Sequence, residues 1–279
     1  MLNFMYHFVG RDENLKGISL EKFRLQLNFL QKKYSHEEVV LTFDHGTIDH
    51  LENVAPELER RDMKGVFFIL TMIPEKHNVP LVDKQRFLEA SYRTKLAKMM
   101  CAELGIDYHP EVAEGYQPAF GFYSAEERYL RYLRDKIVSV EVYGSFIGKY
   151  FKRIFGDEDA FVSREYLSWN QIAELHKRGH IIGTHSHAHY GDRDDYAHSI
   201  KLIENRVDAK VEYVSYPNGI KRISDEDLIA LGIKKAYIST EMGTDPYRVG
   251  RIDCSQADLH FEKLGWSSES ESHSASTRH

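Results

Sequence analysis

The chain has little with which to staple itself covalently. Its 279 residues include two cysteines, Cys101 and Cys254, with no Cys-x-x-Cys spacing. Two isolated thiols exclude a disulfide scaffold and suit a reducing compartment. No apolar run approaches the roughly 20 residues needed to cross a bilayer, so no membrane span is expected. The stretch Met1-Leu2-Asn3-Phe4-Met5-Tyr6-His7-Phe8-Val9 lacks a basic segment and is too short an apolar run for a secretion signal. The expected location is therefore cytoplasmic. Positive charge is also in deficit, with 37 Lys and Arg against 43 Asp and Glu and a net charge of −6. No basic cluster is interleaved with aromatics, which excludes a nucleic-acid surface. Tryptophan is scarce, at 2 against 17 Tyr and 15 Phe, and core packing is the first use of such rings. What remains, 42% hydrophobic and 29% charged residues, reads as a globular α/β domain, either single or carrying one insertion.

Along the chain, residues 2–9 alternate like a first strand. Ser19 is a candidate N-cap for a helix whose stripe is Leu20, Phe23, Leu27, Leu30 and Tyr34. Residues 38–44 form the next strand. Residues 47–61 follow as a helix, with Pro56 marking a kink or an uneven start. Lys64-Gly65-Val66-Phe67-Phe68-Ile69-Leu70 is an almost unbroken apolar run, as in a parallel strand covered on both faces.

The strand rhythm then stops. Residues 82–104 and 124–155 carry two long helical patterns, joined by a loop rich in proline and glycine at 107–123. We read about 78–165 as a helical insertion. Alternation resumes with a Ser168-capped helix, a strand at 180–186 and a helix at 194–207. A strand at 211–216, a helix at 224–231 and strands at 235–239 and 248–254 complete it. About seven strands with intervening helices fit a parallel barrel or an open sheet. The last residues, 267–279, hold no core former and read as a flexible polar tail rather than metal-binding histidines.

Two strand ends gather ionisable groups. One is Phe43-Asp44-His45-Gly46, and the other is Gly183-Thr184-His185-Ser186-His187-Ala188-His189-Tyr190. In parallel α/β folds the C-terminal ends of strands collect ligands and catalysts. On a helical turn, His185 and His189 share a face. On an extended strand, His185, His187 and His189 do. Either arrangement brings several imidazoles to one ion. Metal-assisted hydrolysis needs about three protein ligands, an open position and a nearby base, and Asp44, His45, His185 and His189 supply those types. Asp49 and His50 stand beside this rim as candidates for substrate, ion or capping contacts. Tyr190 and Trp169 are candidates for stacking on a sugar.

These motifs resemble the polysaccharide deacetylase (NodB-homology) superfamily of carbohydrate esterases. In that family a strand ends in Thr-Phe-Asp-Asp-Gly, a later strand reads like Gly-Val-Phe-Phe-Ile, and another ends in Gly-x-His-[Ser/Thr]-x-x-His. The matching stretches here are Thr42-Phe43-Asp44-His45-Gly46, Gly65-Val66-Phe67-Phe68-Ile69 and Gly183-Thr184-His185-Ser186-His187-Ala188-His189. Met5-Tyr6-His7 fits a common first strand. The resemblance covers about 1–75 and 165–255. The helix start Asp49-His50-x-Glu52-Asn53-Val54 looks like members encoded for capsule or lipopolysaccharide O-antigen assembly.

The resemblance implies a distorted (β/α) barrel of about seven parallel strands, a single domain over 1–266 interrupted by the helical insertion. It implies a divalent metal, zinc foremost, held by His185, His189 and the residue in the second aspartate's slot, here His45. Asp44 takes the general-base position. Ser215 stands where the family carries an arginine that orients the base, and Arg251 on the last strand is a substitute for it. The backbone N–H near Asn218, in Ser215-Tyr216-Pro217-Asn218-Gly219, is the implied oxyanion donor. No Leu-x-His supplies a general acid near the C-terminus, where His260 is the nearest candidate. The implied reaction removes an acetyl or formyl group from an amino sugar that is nucleotide-activated, lipid-linked or part of an oligosaccharide. The alternative is a catalytically altered module that binds carbohydrate in the same pathway. Oligomeric state is not legible.

Overall fold

The computed structural model describes residues 1–279 other than 12–14, 16, 119–122, 240–242, 244, 255–263 and 265–279. Two expectations, the general-acid candidate His260 and the tail at 267–279, lie outside the described residues.

The chain divides into two compact units, residues 1–78 with 162–279, and residues 79–161. The first is a distorted (β/α) barrel. Its strands are β1 (Leu2–Tyr6), β2 (Val39–His45), β3 (Gly65–Ile69), β4 (Ile181–Thr184), β5 (Tyr213–Ser215), β6 (Lys235–Ile238), β7 (Val249–Gly250) and β8 (Ile252–Asp253). All pair in parallel, in the order β7-β6-β5-β4-β3-β2-β1-β8. Two edges of this sheet are consecutive in sequence. Val249 and Gly250 pair with β6, Arg251 steps across, and Ile252 and Asp253 pair with β1. One short, bent strand therefore closes the ring, and Arg251 sits on the seam. The weakest ladder is β4 to β5, recorded at a single register pair, Thr184 with Val214.

Sequence explains these elements locally. β3 is buried along its whole length, as a parallel strand covered on both faces should be. Helix α1 (Leu20–Lys33) begins where the Ser19 side chain accepts the Lys22 N–H, and Phe23, Leu27 and Leu30 go into the core. After β2, the expected helix over 47–61 is present only in part. A π-turn (His50–Val54) runs into α2 (Ala55–Glu59), with Pro56 in its first turn. Proline has no N–H to donate and is tolerated at a helix start, so the wide turn ends where the regular helix begins. Helix α3 (Met72–Lys76) follows β3. Further on, α8 (Glu158–Glu165) and α9 (Trp169–Lys177) lead into β4, α10 (Arg193–Val207) into β5, and α11 (Asp225–Ala230) into β6. Ser168 and Gln171 form a reciprocal capping box on α9.

The second unit holds α4 (Leu81–Tyr92), α5 (Leu96–Leu104), α6 (Ala125–Tyr132) and α7 (Val140–Phe155). Each of the two long helices expected there is broken. Between α4 and α5 a short 3₁₀ turn begins at Arg93, whose φ is 51°. Between α6 and α7 a π-turn ends at Val138, and Ser139 caps a fresh helix by accepting the Val142 N–H. Hydrophobic period carries across such breaks, so it overstates helix length.

Close packing around β4 gives a direct test of the barrel. A Cβ built on Gly183 would lie 2.6 Å from the Phe68 ring and 2.8 Å from the Tyr213 carbonyl. Gly183→Ala should cost about 1–3 kcal/mol through overpacking. That lowers Tm by roughly 2–4 °C per kcal/mol in a thermal melt. An unchanged Tm would mean that this approach is not made.

Candidate active site

The rim at the C-terminal ends of the strands is built from β1, β2, β4 and β5. β2 delivers Asp44 and His45 as its last two residues, β4 ends one residue before His185, and β5 ends on Ser215. The imidazoles of His45, His185 and His189 each offer a nitrogen, and these atoms lie within 4.8 Å of one another. Ring centroids are 5.0 Å apart for His45 and His185, 5.3 Å for His45 and His189, and 4.9 Å for His185 and His189. Among the described residues this is the one such group of possible metal ligands. His45 and His185 are buried, while His189 is half-exposed and opens the group to solvent.

His185 suits a ligand role electrostatically. Its Nδ1 pairs with the Ser215 carbonyl at 3.1 Å, which leaves Nε2 for the group. Burial first, then the His45 and Arg251 charges, lower its pKa to about 4 against the opposing pull of Asp44. The ring is thus neutral at physiological pH, the form that coordinates a cation. Three imidazoles converging at one point, one of them held by a backbone carbonyl, fit a divalent ion in donor type and number.

Asp44 is 2% exposed and gripped from the seam. Arg251 Nη1–H donates to Oδ1 at 2.8 Å and Nη2–H to Oδ2 at 2.9 Å. The same guanidinium reaches Thr42 Oγ1 at 3.1 Å and Ser215 Oγ at 2.8 Å, and Ser215 O–H donates to Asp44 Oδ2 at 3.3 Å. Burial works to raise the Asp44 pKa, but the Arg251 charge, then His185, outweigh it and hold the carboxyl well below the usual carboxylate range. The group is therefore ionised. Each carboxylate oxygen has two acceptor sites, so Oδ1, with its bond from Arg251, can still accept from a water.

The histidine loop adopts neither of the two regular geometries that spacing suggests. It is irregular, with Ser186 at φ 70° and His189 at φ 59°. Asp195 imposes this shape. Its carboxylate accepts the backbone N–H groups of His187 (3.1 Å), Ala188 (2.7 Å), Tyr190 (3.0 Å) and Gly191 (2.7 Å). His187 consequently turns away from His185 and His189. Its Nδ1 meets Thr71 Oγ1 at 3.0 Å, and its ring packs edge-on against His198 at 4.4 Å. Asp195 escaped the reading of the sequence, although an acid three residues after the N-cap Asp192 is a recognisable reach-back position.

Asp49 and His50 do not join the three histidines. Asp49 accepts the Val9 N–H at 2.8 Å and pairs with Arg11, and His50 Nε2 donates to the His7 carbonyl at 2.7 Å. Asn53 adds a bond to the Val9 carbonyl at 2.7 Å. Together they tie down the chain after β1 and so position His7, which sequence motifs pointed to only as part of a first strand. The His7 ring lies 5.4 Å from that of His45, and its charge acts on Asp44. Asn218 sits at φ 56° in the exposed turn after β5. That turn abuts the histidine loop: a Cβ on Gly191 would lie 2.9 Å from Pro217. Trp169 is committed to Glu75 through its ring N–H at 3.1 Å, whereas Tyr190 is 55% exposed.

No family model and no curated protein matches the sequence. Solved structures do resemble the chain in three dimensions. The deacetylase PplD of Streptococcus pyogenes, determined with acetate, is 14% identical at a TM-score of 0.51, over 91% of both chains. IcaB from Ammonifex degensii is 16% identical at 0.50, over 90% of both. A de-N-acetylase from Aggregatibacter actinomycetemcomitans is 13% identical at 0.50, over 90% of this chain and 93% of that one. At such identity the likeness establishes a shared fold.

The Asp44–Arg251 pair makes a prediction about stability. Arg251→Met should destabilise the protein by about 3–5 kcal/mol in urea unfolding, because it leaves a buried carboxylate unpaired. Adding Asp44→Leu should recover most of that loss. An Arg251→Met protein as stable as the parent would show that the pair is not buried as described.

Proposed function

We propose that this chain is a metal-dependent amide hydrolase that removes an N-acyl group, acetyl or formyl, from an amino sugar. The observation that carries the reading is the convergence of three imidazole nitrogens beside a buried, ionised carboxylate with capacity to accept a proton. The shared fold with bacterial deacetylases supports it. His45, His185 and His189 would hold the ion. Zinc is the expected metal, because it favours imidazole nitrogen and three protein ligands with one open position. Once bound, such an ion would polarise the acyl carbonyl and acidify water.

The protein's own groups do the rest. Asp44 accepts the proton of the attacking water. Arg251 and Ser215 fix the carboxylate's plane and keep it ionised, so that it can accept that proton. The backbone N–H near Asn218 would be the donor to the developing oxyanion. His7, held through its carbonyl by His50, gives a proton to the departing amine. His45 stands in the slot of a carboxylate, and as a ligand it would leave a bound ion's surroundings one unit more positive. The resemblance at Asp49–Val54 supports a role in assembly of capsule or lipopolysaccharide O-antigen, on a nucleotide-activated or lipid-linked precursor or an oligosaccharide.

The test is release of acetate or formate from N-acylated amino sugars by the zinc-loaded protein. Asp44→Asn should reduce kcat by about 10²–10⁴, the usual contribution of a general base. Release that is absent from the parent protein, or undiminished in Asp44→Asn, would favour a carbohydrate-binding module instead.

A further inference from the structure

One residue beyond His189, the rim carries a pair of side chains that the reaction above does not use. Tyr190 is 55% exposed, yet its backbone is fixed: its N–H donates to Asp195 at 3.0 Å, and its carbonyl accepts from Arg222 Nη1 at 3.1 Å. The Arg222 guanidinium carbon lies 5.1 Å from the Tyr190 ring centroid. Ile220, 46% exposed, and Asn218 belong to the same turn, which packs on the histidine loop where Gly191 meets Pro217. Neighbouring cations are neutralised, since Lys221 pairs with Asp225 and Arg193 with Asp227. Arg222 has no carboxylate partner among the described residues, in a chain whose net charge is −6.

An exposed arginine left unpaired in an acidic protein is ordinarily free to move. This one is ordered by a ring face and a carbonyl, and its remaining N–H donors have no partner among the described residues. We infer that Tyr190 and Arg222 form a subsite for an anionic group on the substrate, with the sugar ring against the aromatic face and the charge on the guanidinium fork. The inference rests on the N-deacylase reading and narrows its substrate class to acidic glycans. The anion is a carboxylate of a hexuronate in an oligosaccharide or a phosphate of a diphosphate-linked sugar.

Equilibrium binding separates these sources without requiring turnover. The zinc-loaded protein is titrated with N-acetylchitotetraose, with a tetrasaccharide alternating N-acetylglucosamine and glucuronate, and with UDP-N-acetylglucosamine. At least one acidic probe should bind about tenfold or more tightly than the neutral one. Arg222→Gln should remove that advantage, Arg222→Lys should retain part of it, and binding of the neutral probe should not change. The acidic probe that loses affinity identifies the source. Equal affinity for all three probes, or equal losses for neutral and acidic probes in Arg222→Gln, would overturn the subsite. Acyl release is scored separately. Charge-selective binding without release sinks the hydrolase reading alone, and release from the neutral probe with no charge preference sinks the subsite alone.

Discussion

Everything at the rim hangs on one buried ion pair. Asp44 and Arg251 meet through two hydrogen bonds at 2.8 and 2.9 Å, both side chains almost wholly excluded from water. A lone carboxylate at that depth would neutralise itself by taking up a proton. The guanidinium keeps it charged, and it can do so only because the last strand bends across the seam between β6 and β1 and aims Arg251 inward. Closing the barrel and charging Asp44 are thus one structural event. Ser215 takes part by being small: its hydroxyl completes the network with bonds to both partners.

The second constraint is backbone strain. His45, Ser186 and His189 all occupy left-handed conformations, which cost a non-glycine residue about 1–2 kcal/mol each. Such strain persists only where the surroundings over-determine it. Here Asp195 satisfies four N–H groups of the histidine loop. Across from it, residues 46–48 are strapped to residues 165–167 through Ile48 N–H to Glu165 O and Leu167 N–H to Gly46 O, each 2.9 Å. The histidines converge because both strand ends are forced out of regular geometry. A straight continuation of either strand would point alternate side chains to opposite faces.

Much of this was legible in the sequence, and the failures have physical causes. Strands such as Gly65–Ile69 announced themselves because burial on both faces leaves only apolar residues. Capping by Ser19 and Ser168 marked two helix starts correctly. The two strand ends and the histidine spacing brought His45, His185 and His189 together, and the motif resemblance gave them their implied roles, although the loop itself is neither helix nor strand. Asp49 looked like a rim residue by position, yet its carboxylate serves the Val9 N–H. His7 was underweighted because a histidine ending a first strand carries no signal of its own; it acquires meaning through the long-range bonds from His50 and Asn53. Breaks at Arg93 and Ser139 were hidden by an apolar period that runs through them.

The account stands on the three histidines acting as a metal site, which direct titration of the metal-stripped protein with zinc addresses. The predicted result is one ion per chain, with binding lost in His185→Ala and His189→Ala while far-UV circular dichroism is preserved. Binding of zinc with the same stoichiometry and affinity in those variants, or no binding by the parent chain, would contradict it.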